Sequence, residues 1–154
     1  MSHVSLIAAG KELPLCDKRE YRESTTILPD GERFTIGLER GFRVEKHSYY
    51  RDSTDYLGFE IKPFQYELTL EQCEADLNHL LAYLRENFSP GEEAQLWSLW
   101  VGNGAGERPI RYRGRLSEFD LDTLGMLTEP EKEPDLTGEY PDGLFSQICI
   151  TVEV

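Results

Sequence analysis

TLEQCEADLNHLLAYLRENF, residues 69–88, organises the rest of the chain. Leu70, Cys73, Leu77, Leu80, Leu81, Leu84 and Phe88 recur at steps of three and four, so on a helix they share one stripe. Glu71, Glu74, Asn78, Arg85 and Glu86 then face outward. Thr69 precedes the run and Gln72 follows three residues later, the spacing at which two side chains reciprocally satisfy amides that a helix start leaves unpaired. The pattern predicts a capping box and a helix over 69–88, halted by Ser89-Pro90-Gly91. Cys73 on that stripe reads as a small buried hydrophobe rather than a reactive thiol.

The flanking segments read as strands that cover this stripe. Val4 to Ala9 alternate and stop at Gly10, and residues 11–22 carry Pro14 and several charges, as a loop does. Residues 25–28 and 34–38 flank Pro29-Asp30-Gly31, the chemistry of a hairpin whose apolar face is Phe34, Ile36 and Leu38. Phe42 and Val44 resume the alternation, and Leu57, Phe59 and Ile61 predict a further strand ending at Pro63. Beyond the helix, Leu96-Trp97-Ser98-Leu99-Trp100-Val101 is apolar on both faces, as a central strand must be. Gly102 to Gly106 lead into residues 110–116, most simply an adjacent antiparallel strand. Ser117 caps a short second helix over about 118–127, and a final strand carries Ile148, Ile150 and Val152. The expectation is one α+β domain over 1–154: a single, mainly antiparallel sheet, the helix of 69–88 packed on it, and a long acidic Pro/Gly loop at about 128–143.

Sixteen basic side chains against 29 acidic ones give a formal charge of −13, which opposes binding to nucleic acid or anionic membrane. Cys16, Cys73 and Cys149 are odd in number and lack CxxC spacing, so neither a disulfide framework nor a zinc site is indicated and a reducing cytoplasm fits. No signal peptide is read at the start, and no apolar run approaches the ~18 residues of a membrane span.

Chemistry-bearing motifs are sparse. GNGAG at 102–106 follows a strand but opens into another strand, so it reads as a hairpin tip rather than a phosphate loop. His3, His47 and His79 are scattered without metal-ligand spacing, and no GxSxG is present. No catalytic residue, metal or cofactor is therefore expected. Two charged features stand out. Alternation from Pro109 puts Ile110, Tyr112 and Leu116 on one face and Arg111, Arg113 and Arg115 on the other, a row that either pairs with acids such as Glu32 or Glu39 or holds an anion. Residues 117–142 carry nine acids against Lys132 alone, with Glu129, Glu131, Glu133 and Asp135 close together. Tyr49, Tyr50 and Tyr56 add aromatics with polar tips, a composition common at binding surfaces.

Three segments, VSLIAAGKELPL, LWSLWVGNGAGE and ICITVEV, resemble a group of short, uncharacterised bacterial proteins with an early strand and Leu-Pro-Leu turn, a helix, a Trp-containing strand and a terminal strand. Residues 16–55 depart from that pattern. The resemblance implies a bacterial cytosolic protein and supplies no catalytic residue.

Size and charge thus favour a non-enzymatic protein-binding module, like small inhibitors, antitoxins or immunity proteins, that engages a basic partner through Glu129, Glu131, Glu133, Asp135, Tyr49, Tyr50 and Tyr56. The alternative is an enzyme or small-anion-binding domain using Arg111, Arg113 and Arg115.

Overall fold

The computed structural model describes residues 2–102, 108–129, 136–138 and 145–154. Among the described residues nine strands form two sheets, so the expected single sheet is corrected, while the α+β class holds. The strands are β1 (Ser2–Ala9), β2 (Cys16–Asp17), β3 (Glu20–Ile27), β4 (Arg33–Arg40), β5 (Arg43–Lys46), β6 (Phe64–Thr69), β7 (Glu93–Val101), β8 (Ile110–Arg115) and β9 (Ile148–Glu153). Three α-helices, α1 (Arg51–Tyr56), α2 (Glu74–Asn87) and α3 (Leu121–Gly125), and a 3-10 turn (Leu116–Glu118) complete the described elements. Seven strands run in the order β2-β5-β6-β1-β7-β9-β8, and β3 pairs with β4 alone.

β7 lies inside the large sheet because it is apolar on both sides. Ala94 and Leu96 join the cluster under α2 and α3, with Ile7, Phe42, Leu80, Leu84 and Ile150. Trp97, Leu99 and Val101 join a second cluster with Val4, Leu6 and Cys149 on the opposite face. Tyr50, Leu57, Phe59 and Ile61 cover that second cluster, and the Phe59 ring stacks on Trp97 with centroids 5.9 Å apart. Residues 57–61 are therefore a cover and not the expected strand. β6 begins after Pro63 instead of ending there, consistent with a proline being tolerated outside a ladder but not within it.

Residues 110–115 do run antiparallel to β7, but the expected adjacency fails. β9 lies between them, antiparallel to β7 and parallel to β8, with Trp97 opposite Cys149 and Arg111 opposite Cys149 on the other side. Cys149, Ile150 and Val152 are buried and suit an interior strand, whereas arginine-rich β8 tolerates an edge. Ile110 and Tyr112, expected to face inward, are 46% and 45% exposed there.

The helix of 69–88 starts later than expected. Thr69 is the last residue of β6, opposite Arg43, so it is not available to cap. Cys73 takes the cap position without a side-chain hydrogen bond, and the Gln72 amide instead donates to the Leu121 carbonyl at 3.1 Å. The end agrees, with α2 closing at Asn87 before Phe88. The deepest apolar positions of α2 are Leu80, Tyr83 and Leu84, whereas Leu77 and Leu81 are only partly buried. The second helix likewise starts later, capped by Asp120, whose carboxylate accepts from the Thr123 amide at 2.9 Å; Ser117 does not cap it.

The hairpin of β3 and β4 forms around Gly31, whose φ of 87° is the left-handed geometry expected of the turn. Its apolar face does not reach the core. Phe34, Ile36 and Leu38 are 56%, 43% and 52% exposed, and no β3 or β4 residue belongs to either cluster.

Candidate functional site

The hairpin is an arm fixed at its base by charge. Asp76, fully buried in the first turn of α2, accepts from Arg22 Nη2 at 2.9 Å and from the Glu71 amide at 2.7 Å. The same guanidinium also bonds Glu71 and Glu20, and Arg40 Nη1 lies 3.6 Å from Glu71. Its proton is held more tightly than usual, chiefly by Asp76. Glu71, Cys73 and Asp76 converge closely enough to suggest a metal set, yet Arg22 donates to all three, so the cluster already contains its cation. Along the arm, Arg22 lies opposite Leu38, Ser24 opposite Ile36 and Thr26 opposite Phe34, so the anchored face is also the apolar one.

A second feature forms where the sheet splits. β1 pairs with β6 only from Leu6 to Ala9, so His3, Val4 and Ser5 diverge from Leu68 to Leu70. Ser5 Oγ donates to the Leu127 carbonyl across the opening, and a cavity of about 270 Å³ results. Glu45 and Glu67, directly opposite each other on β5 and β6, line it together with Tyr50, His3 and Glu129. Burial, with Glu45 beside it, pushes the Glu67 carboxyl up. Burial also pulls the His3 imidazole down to about 4, with Nε2 2.7 Å from Ser98 Oγ.

His3 makes stability depend on pH with a definite sign. Its unfolded value of 6.5 exceeds its folded one, so below 6.5 the unfolded chain binds more protons. The contribution is complete above about pH 6.5 and disappears progressively toward pH 4, a loss on the order of 2–3 kcal/mol. His47 shifts in the same direction, so the comparison that isolates His3 is with His3→Gln. Urea midpoints of the variant should vary less between pH 6.5 and 4 than those of the wild type. Parallel profiles would assign the acid sensitivity to other groups.

The structure brings some of the sequence-picked residues together and separates others. Tyr50 and Glu129 meet at the split-sheet cavity. Tyr49 and Tyr56 are 84% and 82% exposed at the two ends of α1, and the Tyr49 ring packs edge-on against Tyr50. Glu131, Glu133 and Asp135 lie outside the described residues, as does most of the acidic loop and of GNGAG. Arg111, Arg113 and Arg115 do share one face, but their acidic partners are not Glu32 or Glu39, which sit on the arm. Arg113 pairs with Glu93 at 2.5 Å, and Arg111 lies over the Trp97 ring at 5.6 Å. Sequence reasoning missed the exposure of the arm and the roles of Glu45 and Glu67. The only signal for the arm was an apolar row on a hairpin rich in polar residues.

Compared with protein-family models, curated proteins and solved structures, the chain matches none.

Proposed function

We propose that the chain is a non-enzymatic protein-binding module, of the inhibitor, antitoxin or immunity kind, that engages a basic protein partner. The observation that carries this reading is the arm: Phe34, Ile36 and Leu38 stand in water on a hairpin that packs into neither core. A two-stranded hairpin is marginal alone, and exposed contiguous apolar side chains mark interaction surfaces. The split-sheet cavity supports the basic character of the partner, since Glu45, Glu67 and Glu129 with Tyr50 suit an inserted lysine or arginine. Free Cys16, Cys73 and Cys149 support a reducing compartment such as the cytoplasm, and no helix among the described residues is long and apolar enough to cross a membrane. The alternative, an enzyme or small-anion site on Arg111, Arg113 and Arg115, has less support because Glu93 already engages Arg113 and the row lies along an edge instead of converging.

The test is affinity capture with paired variants. Ile36→Ser with Leu38→Ser should abolish recovery of a basic protein while the thermal midpoint stays within a few degrees of wild type, because exposed side chains contribute little to folding. Changing Glu129, Glu131, Glu133 and Asp135 to amides should slow association by ~10-fold at low salt and far less at high salt. Capture unaffected by both sets of changes would sink the proposal.

A further inference from the structure

We infer that the free edge of β8 is a docking site for an extended acidic peptide, which adds to the large sheet as an eighth strand. Among the described residues β8 is the last strand in its order and pairs with β9 alone; the Glu118 carboxylate accepts from the Arg115 amide at 3.2 Å, and the edge before Arg115 presents backbone groups with no ladder partner. That alone would describe any sheet edge. What distinguishes this one is a slot of about 210 Å³ beside it, on the α3 side, with Phe119, Met126, Ile150 and Val152 in its walls. Gly114 leaves the slot open: a Cβ added there meets nothing within 4 Å. Tyr112 and Gly114 face this slot, and Arg111, Arg113 and Arg115 project from the opposite face at ~6.6 Å intervals.

A strand added to this edge has its own side chains sorted in the same way. Alternate residues enter the apolar slot, and those between them meet the arginines. Charge selects the occupant. Glu93 engages Arg113, but among the described residues no carboxylate lies within ion-pair distance of the side chain of Arg111 or Arg115. Beyond Arg115 the edge opens into a hollow of about 400 Å³ where Arg85 joins it, alongside Glu153, the β9 residue opposite Arg115. Carboxylates spaced two residues apart satisfy this row, with aliphatic residues between them. A second copy of the chain is the wrong occupant, because antiparallel pairing of β8 with itself sets arginine against arginine. Guarding the edge against aggregation explains the arginines but not the slot.

The probe is a fluorescein-labelled peptide, acetyl-Val-Glu-Val-Glu-Val-Glu-Val-amide, titrated with the intact protein at about 0.15 M salt and followed by anisotropy. Saturable binding is expected, with at least ~10-fold weaker binding for the Lys-for-Glu peptide and for Arg111→Gln/Arg115→Gln. Gly114→Val should fill the slot and weaken binding similarly while leaving the thermal midpoint near that of wild type. A peptide N-methylated at alternate residues keeps the charge and loses main-chain donors, so it should not bind. Absence of binding by the parent peptide overturns the inference. So does equal binding of the N-methylated peptide, or affinity unchanged in the double arginine variant.

Discussion

Arg22→Ala should lower the folding free energy by about 3–5 kcal/mol, an effect far larger than a hairpin residue normally produces. The reason is what the substitution leaves behind. Asp76 is fully buried at the start of α2, and removing the guanidinium 2.9 Å away leaves its carboxylate with little beyond the Glu71 amide. An uncompensated buried charge costs more than the ion pair contributes, so the cost should largely vanish when Asp76 is also replaced. A double-mutant cycle of Arg22→Met and Asp76→Leu by chemical denaturation should therefore show coupling of ~2 kcal/mol or more. Additive effects would mean that the arm is not anchored through this pair. The variant also bears on function: an arm released at its base should bind its partner more weakly even where the rest of the fold persists, because ordering the arm would then oppose association.

Leu84→Ala and Leu80→Ala should each cost about 2–5 kcal/mol, and Leu77→Ala and Leu81→Ala clearly less. All four leucines belong to the same sequence stripe, so periodicity alone does not separate them. Leu80 and Leu84 are fully buried against the sheet, whereas Leu77 and Leu81 lie at the margin of that contact and leave smaller cavities. Equal losses at all four positions would show that the helix sits rotated from the orientation described.

The two experiments divide along what local sequence can encode. Residues 96–101 and 4–9 were legible because an apolar run of strand length, or a plain alternation, leaves few options once it must be buried. The end of α2 was legible because Pro90 and Gly91 impose backbone conformations irrespective of their neighbours, and the hairpin turn because Gly31 takes a left-handed geometry. Its start was not. Thr69 and Gln72 have capping chemistry, but pairing of Thr69 with Arg43 uses the same residue in a ladder, and only the assembled sheet decides between the two. The row of Phe34, Ile36 and Leu38 carries the same alternation as a core strand, yet it stays exposed because, among the described residues, no other surface closes over it.

By itself, then, the sequence determined which faces are apolar, where the chain must turn, and that the molecule carries a strong negative charge. Tertiary structure alone decided which apolar face is covered, that β9 separates β7 from β8, and that Glu45 and Glu67 meet at a split in the sheet. The physical reason is that periodicity is a property of a few consecutive residues. Coverage, strand order and cavities depend on residues dozens of positions apart competing for the same surface, and that competition is resolved only when the whole chain packs.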